Sequence, residues 1–214
     1  MRSLEISPEQ FRLLAKQVCD LVADYLETID ARPVAPSVTG AETEKTFRAP
    51  LPEKALGPES LNDLQNVLRY SRGNNGRFFG YVLGSGEPVG ALADLLASVI
   101  NQNVTAWRSS PSAVTIERTV ISWLSEALGC KDFTGTLTGG GSSANLMGLA
   151  MAREARASAN EKGLSAKVTV YASEEVHMSI PKAVALLGIG RENLRLLRTD
   201  ASFHMLPEEL ERAI

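Results

Sequence analysis

The sequence is poor in several features that define particular classes of protein. Cysteine occurs only twice, at Cys19 and Cys130, without a metal-binding spacing, so we expect reduced thiols in a cytoplasmic protein. No run of about 18 apolar residues is present, and the opening residues MRSLEISPEQ lack the apolar core of a secretion signal. The net charge is only −3, so we expect no nucleic-acid or membrane partner.

The composition is that of an ordinary globular protein, with 214 residues of which 44% are hydrophobic and 22% charged. The first helix is strongly indicated, because Ser7 is a good N-cap, Pro8 suits the first helical position and Gln10 completes a capping box. Its apolar stripe runs from Phe11 to Ile29. Such a stripe needs an apolar partner, and the sequence leaves open whether this is a second subunit or the rest of the chain.

The next segments are predicted to be an extended stretch followed by three helices. Residues 31–59 hold five of the ten prolines, which favours an extended conformation. Helices are predicted from Ser60, over residues 87–100, and from Pro111 to Leu128 with Gly129 as the stop.

From residue 134 onward, strand-like and helix-like segments alternate. The predicted strands are TGTLT, KVTVYA and NLRLLR, and the predicted helices are 142–158, 179–187 and PEELERAI. Short connections between alternating elements favour an α/β fold with a mostly parallel sheet flanked by helices. Ligands of such folds bind beyond the carboxyl ends of the strands.

A glycine- and serine-rich segment, TGGGSSANL, lies between the first of these strands and its helix. Glycine lets the backbone approach a ligand closely, and a helix N-terminus offers free N–H groups to an anion. Ser142 and Ser143 add hydroxyl donors, so the segment is a candidate phosphate site. It is neither a P-loop nor a G-x-G-x-x-G fingerprint, and the alternative is a glycine-rich turn without a ligand.

The sequence contains only two histidines, which differ in position. His177 follows the KVTVYA strand and is therefore expected at the same edge of the sheet as the glycine-rich segment. A lone histidine is usually structural, so its function stays open on this evidence alone. We interpret His204 as a surface loop residue, and no set of side chains indicates a metal site.

Several segments, in one order along the chain, resemble the N-terminal part of the group II pyridoxal-phosphate-dependent amino-acid decarboxylases, close to the aromatic-L-amino-acid decarboxylases. The segments are ETIDARPVAPSV, RFFGYVLGSGEPVGALADLLASVINQ, WRSSPSAVTIERTVISWLSEALG, TGGGSSANL and VYASEEVHMSIPKA. The resemblance implies a fold-type I transferase-like large domain, with pyridoxal 5'-phosphate as the cofactor. It implies that Gly141, Ser142 and Ser143 hold the phosphate and that His177 stacks on the ring and acts in catalysis.

The resemblance also implies an L-amino-acid substrate and a pocket formed by four further residues. These are Tyr81, Gly84, Thr105 and Trp107. The sequence departs from the aromatic-specific pattern at two of them, because Gly84 stands where that pattern has a threonine and Thr105 where it has an aromatic residue. Both changes remove bulk or a hydroxyl group, so an aromatic substrate is left open.

The same resemblance implies a homodimer whose residues 1–85 form a helical and extended dimerisation arm, with residues 86–214 as the first part of the cofactor-binding domain. The family's cofactor lysine and its partner for the pyridine nitrogen have no counterparts here. We therefore expect one piece of a longer enzyme that is inactive by itself. The alternatives are an aldehyde synthase or other lyase of the same fold, a non-catalytic dimerising fragment, and a nucleotide-binding domain.

Overall fold

The computed structural model describes residues 6–54, 56–165 and 167–214. They fall into two compact units, Met1–Ile100 and Asn101–Ile214. The helices are α1 (Pro8–Thr28), α2 (Gly40–Phe47), α3 (Leu64–Tyr70), α4 (Pro88–Ile100), α5 (Pro111–Ala127), α6 (Gly141–Ala157), α7 (Ala159–Lys162), α8 (Ser179–Leu186) and α9 (Pro207–Ala213), and the strands are β1 (Val170–Ser173) and β2 (Leu194–Leu197). The division into an arm and a domain at residue 85 stays a prediction, since compactness does not show which segment serves dimerisation.

Helix α1 begins as its sequence predicts. The Ser7 hydroxyl accepts a hydrogen bond from the Gln10 N–H at 3.2 Å, and the Gln10 side chain accepts one from the Ser7 N–H at 3.0 Å. These bonds satisfy N–H groups that the helix itself leaves without partners. No side chain of α1 is fully buried, so its apolar stripe is only partly covered within the first unit.

The prediction that residues 31–59 are extended is wrong for α2. Thr39 and Glu42 form a second capping box, with the Thr39 N–H donating to the Glu42 carboxylate at 2.7 Å. Helix α2 lies in the proline-free segment between Pro36 and Pro50, which is long enough for two helical turns. The Phe47 ring at the end of α2 meets the Tyr70 ring of α3 edge-on at 5.4 Å, which is a favoured aromatic geometry.

The later helices of the prediction are confirmed, with one shifted start. Tight 3₁₀ turns occupy Gly57–Asp63 before α3, and the Ser60 hydroxyl donates to the Gly57 carbonyl at 2.8 Å instead of capping a helix. Helix α5 ends at the predicted glycine, because Gly129 has a φ of +74°. The N–H groups of Gly129 and Cys130 return to the Glu126 and Ser125 carbonyls, which is a Schellman motif.

The sheet of the second unit is smaller than the sequence predicts. Strands β1 and β2 are parallel, with Val170 opposite Leu194 and Ser173 opposite Leu197. The predicted strand at 134–138 is absent, because the Leu137 N–H donates to the Glu117 side chain instead of a neighbouring strand. In the described part of residues 101–214, helices predominate over strands, and the sheet is a small parallel pair. The buried apolar residues of this unit are Val114, Ala159, Ala172, Ala183, Val184, Ile189 and Leu197.

Helices α6 and α8 lie side by side and run in the same direction. Near their starts, the Asn145 amide donates to the Ser179 hydroxyl at 2.8 Å. Near their ends, the Arg153 guanidinium donates to the Leu187 carbonyl at 3.0 Å. Asn145 and Arg153 are eight residues apart, and so are Ser179 and Leu187, which corresponds to about 12 Å along a helix. The two hydrogen bonds are therefore equally spaced along both segments. This register fixes the start of α6 against the start of α8.

We predict that Ser7→Ala destabilises the first turn of α1 by about 1 kcal/mol, because the helix loses its N-cap acceptor. Native-state hydrogen exchange of the Gln10 and Phe11 amides in the purified protein measures this directly. Ser7→Thr is the matched control, since it keeps a capping hydroxyl. Equal protection in the wild type and in Ser7→Ala would show that the capping box does not stabilise this helix.

Candidate functional site

The start of α6 has the geometry of an anion site. Gly140 has a φ of +140°, a conformation that favours glycine, and no side chain caps the helix. The first helical hydrogen bond runs from the Ala144 N–H to the Gly140 carbonyl at 3.1 Å. The N–H groups of Gly141, Ser142 and Ser143 precede this bond, so the helix itself does not use them. A Cβ built on Gly139, Gly140 or Gly141 meets no atom within 4 Å, so the backbone here is open to a ligand.

The two serines of this loop face the start of α8. They line an open cavity of about 200 Å³ between the two helices, and the lining residues are Ser142, Ser143, Leu146, Ser179, Lys182, Ala183 and Leu186. Both hydroxyl groups are exposed. The cavity therefore combines two exposed hydroxyl groups and one lysine side chain beside the uncapped helix end, which suits an anionic group.

His177 lies in the connection between β1 and α8, as the sequence predicts. The Glu174 N–H extends the sheet by one bond to the Leu197 carbonyl at 2.9 Å, and the chain then turns. The Nδ1 atom of His177 lies 2.9 Å from the Ser179 hydroxyl and 3.2 Å from the Ser179 N–H. Since Ser179 is also bonded to Asn145 of α6, the structure connects His177 to the helix that carries the glycine loop.

Glu117 of α5 is part of the site's framework and was missed by the sequence analysis. Its Oε1 atom accepts hydrogen bonds from the Leu137 N–H at 3.0 Å and from the Thr136 hydroxyl at 2.7 Å. Donation by the Leu137 N–H, and next by the Thr136 hydroxyl, lowers the pKa of Glu117 below its ordinary value of 4.5. Glu117 thereby holds the segment that leads into the glycines. An acidic residue on a helix carries no sequence signal for this role.

Two of the predicted substrate residues belong to the first unit. Tyr81 has a φ of +63°, and its ring centroid lies 6.2 Å from that of Phe78 and 5.9 Å from the Arg72 guanidinium. Gly84 borders a separate open cavity of about 240 Å³, which is lined by Asn74, Asn75, Gly76, Phe78, Leu83, Gly84 and Ser85. Both residues are exposed, and their role in substrate binding stays a prediction.

The other two predicted substrate residues precede α5 in the second unit. The Trp107 indole N–H donates to the Thr115 hydroxyl at 3.1 Å, and this hydroxyl donates to the Pro111 carbonyl at 2.6 Å. The ring is therefore oriented although it is 52% exposed. Thr105 bonds locally, with its N–H and its hydroxyl both donating to the Asn103 side chain. Their contact with a substrate also stays a prediction.

The remaining expectations concern histidine, metals and membranes. His204 is exposed in a turn, as expected of a surface loop residue, and its backbone N–H donates to the Asp200 carboxylate at 2.9 Å. Within the ranges 6–54, 56–165 and 167–214, no group of three or more histidine, cysteine or acidic side chains has a metal-binding arrangement. Among the helices of these ranges, none combines the length and the apolar character that crossing a membrane requires.

Comparison with known proteins gives the family. A family model described as the pyridoxal-dependent decarboxylase conserved domain matches residues 44–214. The chain belongs to this family. The resemblance drawn from the five sequence segments is thus confirmed at the level of the family.

Relatives and solved structures match along nearly the whole chain. An aromatic-L-amino-acid decarboxylase of Bacillus atrophaeus is 30% identical over 99% of this chain, a tyrosine decarboxylase of Oryza sativa subsp. japonica is 30% identical over 99%, and a phenylacetaldehyde synthase of Arabidopsis thaliana is 28% identical over 96%. The chain covers 44%, 42% and 44% of these relatives, so it spans less than half their length. The crystal structure of mouse CSAD matches with a TM-score of 0.88 at 25% identity, over 98% of this chain and 45% of that one.

The start of α6 fits the phosphate of the cofactor that this decarboxylase family is named for. Its open N–H groups and hydroxyl groups are hydrogen-bond donors, as a phosphate requires, and the helix dipole places partial positive charge there. Lys182 adds a cation on the wall of the same cavity. These features are independent of the family match, and they agree with it.

We predict that the support given by Glu117 depends on pH. Because its pKa is lower in the folded protein, the carboxylate's stabilising contribution is fully present above the ordinary value of 4.5 and is lost as the pH falls through the lowered pKa. The stability difference between the wild type and Glu117→Gln, measured by chemical denaturation, should be constant near neutral pH and shrink in acid. Glu126→Gln, at another glutamate of α5, is the control. A difference that does not change with pH would contradict this account of Glu117.

Proposed function

We propose that the protein is a pyridoxal-phosphate-dependent decarboxylase that releases CO₂ from an L-amino acid and yields an amine. The observation that carries this proposal is the uncapped start of α6, together with the connection from this helix through Asn145 and Ser179 to His177. A phosphate site and an aromatic, hydrogen-bonding ring on adjacent elements are what a planar phosphorylated cofactor requires. The family match over residues 44–214 supports this reading.

In this proposal the chain's own residues bind and orient the cofactor. The N–H groups of Gly141, Ser142 and Ser143 donate to the phosphate, and the Ser142 and Ser143 hydroxyl groups add further donors. The imidazole of His177 would stack on the bound cofactor ring and shield it from water. The bound cofactor supplies an electron sink for the electrons that remain when CO₂ leaves.

The substrate class is proposed from the residues that depart from the aromatic-specific pattern. Gly84 and Thr105 offer less bulk than the residues that the resemblance leads us to expect, and Tyr81 and Trp107 supply aromatic surface. Relatives named for aromatic amino acids and for tyrosine support an aromatic L-amino acid. Because Gly84 and Thr105 are both small, the preference among aromatic, acidic and aliphatic amino acids is the quantity to measure.

A second candidate is an aldehyde synthase of the same fold. It is favoured by the match to a protein named phenylacetaldehyde synthase, which is 28% identical over 96% of this chain. The same phosphate site and histidine serve both activities in this proposal. The nature of the product distinguishes them, because one releases an amine and the other an aldehyde.

We further propose that the protein is a homodimer and that α1 lies in the interface. Phe11, Val22 and Leu26 are each exposed by about two fifths, at 40%, 42% and 41%, on the apolar stripe of this helix. Another part of the helix, including Val18 and Leu21, borders an open cavity of about 490 Å³, which is also lined by Leu61, Asn62, Leu64 and Gln65. The fold therefore covers the stripe only in part, and a second subunit is the proposed cover for the rest.

The first test combines cofactor binding with product analysis in the protein with its full natural chain. Pyridoxal phosphate should bind, and a panel of L-amino acids should yield CO₂ and an amine. Ser142→Ala should weaken cofactor affinity by about 1.5–3 kcal/mol, or roughly tenfold to a hundredfold, because a hydrogen bond to a charged group is lost. Ser158→Ala, at the other end of α6, is the matched control.

Different results of this test contradict different parts of the proposal. An aldehyde product in place of an amine would favour the synthase. Equal cofactor affinity of the wild type and Ser142→Ala would remove Ser142 from the phosphate site. The 214-residue chain alone, treated with pyridoxal phosphate and borohydride, should carry no stoichiometric lysine label and release no CO₂. One labelled lysine together with CO₂ release would show that this chain is sufficient for activity.

The dimer is tested by charge placed on the exposed part of the stripe. We predict that Phe11→Asp combined with Val22→Asp shifts the mass in solution from dimer to monomer, since two charges would be buried in the interface. Sedimentation velocity measures this. Ala23→Asp, on the polar side of the same helix, is the control and should stay dimeric. A wild-type monomer, or an unchanged dimer in the double variant, would exclude α1 from the interface.

A further inference from the structure

Ser179 is nearly inaccessible, at 4% exposure, and its polar atoms are engaged on both sides. Its hydroxyl oxygen lies 2.8 Å from the amide nitrogen of Asn145 and 2.9 Å from Nδ1 of His177. Its backbone N–H points at the same Nδ1 atom at 3.2 Å. A buried serine with three such contacts is a connector between α6 and the ring, and each contact has a fixed direction.

The backbone N–H decides which nitrogen of His177 carries the proton. An N–H group only donates, so Nδ1 must offer a lone pair to the Ser179 N–H. A proton on Nδ1 would point toward that N–H and break the contact. The neutral ring therefore carries its proton on Nε2.

The side chains around Ser179 are consistent with this assignment. The Asn145 amide donates to the Ser179 oxygen, which leaves the hydroxyl hydrogen free to donate to Nδ1. If the amide were turned so that its oxygen faced Ser179, the hydroxyl would have to donate to Asn145 and accept from Nδ1. The Ser179 N–H would then have no acceptor in the ring, so the first arrangement satisfies more groups.

We propose that Asn145 and Ser179 are positioning residues that hold His177 in the Nε2–H tautomer and tie its ring to the helix that binds the cofactor phosphate. This inference rests on the proposed function, because it takes His177 as the residue against the cofactor ring. It adds two residues, Asn145 and Ser179, whose proposed effect on the cofactor is transmitted through His177.

The position of Asn145 on α6 explains why its connection to His177 matters for cofactor binding. Asn145 lies two residues after Ser143, within the turn that follows the open N–H groups. The same short piece of helix thus binds the phosphate and, through Ser179, holds the ring. The distance between the phosphate site and His177 is then set by rigid helix and two hydrogen bonds rather than by the loop after β1. The Nε2–H edge of the exposed ring is left to donate outward.

The tautomer is tested first in the cofactor-free protein with its full natural chain. The protein is labelled with ¹⁵N-histidine, and His177→Gln identifies the ring signals of His177. At a pH where the ring is neutral, we expect Nε2 to show the shift of a protonated nitrogen and Nδ1 that of an unprotonated one. A protonated Nδ1 in the wild type overturns the proposal without any variant being needed.

Two variants then test the connector from each side. Asn145→Asp has nearly the same shape but only accepts, so the Ser179 hydroxyl turns toward the carboxylate and Nδ1 loses one of its two donors. Ser179→Ala removes the hydroxyl altogether. Both should raise the fraction of rings protonated on Nδ1 and should weaken pyridoxal-phosphate affinity by about threefold to tenfold, the range expected when a buried hydrogen bond is lost. Ring signals identical to the wild type in both variants overturn the proposal.

The matched control is Ser110→Ala. Ser110 is fully buried in the same unit, and its hydroxyl has no hydrogen-bond partner in the described structure. This variant should leave both the ring signals of His177 and the cofactor affinity unchanged. A change as large as that caused by Ser179→Ala would show that the effect comes from general destabilisation of the unit, which would contradict the proposal. A wild type that shows the Nε2–H ring but binds no pyridoxal phosphate contradicts the proposed function and leaves the connector in place.

Discussion

The candidate site depends on the parallel register of α6 and α8. Two hydrogen bonds set this register, one from Asn145 to Ser179 at the starts of the helices and one from Arg153 to the Leu187 carbonyl at their ends. Each bond joins groups that are at least partly buried, where a lost partner leaves an unsatisfied polar atom. Sliding one helix along the other would break both bonds together. The uncapped start of α6 and His177, which precedes α8, are therefore held at the same end of the helix pair.

Carboxylates hold the loops on either side of this helix pair. Glu117 accepts from Thr136 and Leu137 ahead of the glycines, and Glu174 accepts from the N–H of Thr199 at 3.1 Å and from its hydroxyl at 3.2 Å beyond the sheet. In both places a carboxylate accepts a hydrogen bond from a backbone N–H that lies outside the two paired strands. The small two-stranded sheet can thus be surrounded by irregular segments whose backbone donors still have partners.

The family match and the geometry support each other because they are different kinds of observation. The match extends over residues 44–214 as a whole, whereas the anion site follows from a helix start without a cap and from glycines with open space around them. The residues near the proposed substrate are less uniform. Trp107 is oriented by Thr115, while Thr105 and Gly84 offer little bulk, so their part in substrate binding stays a prediction.

The sequence alone was sufficient for features set by short-range interactions. The capping box of Ser7 and Gln10, the glycine stop at Gly129, the start of α6 after the glycines and the position of His177 past β1 all involve neighbours within a few residues. The capping box of Thr39 and Glu42 was equally readable, but the flanking prolines obscured it. Tertiary structure alone decided the rest, because those contacts join residues far apart in sequence. Glu117 meets Leu137 across 20 positions and Asn145 meets Ser179 across 34, and an acidic or amide side chain on a helix has no local pattern that names such a partner.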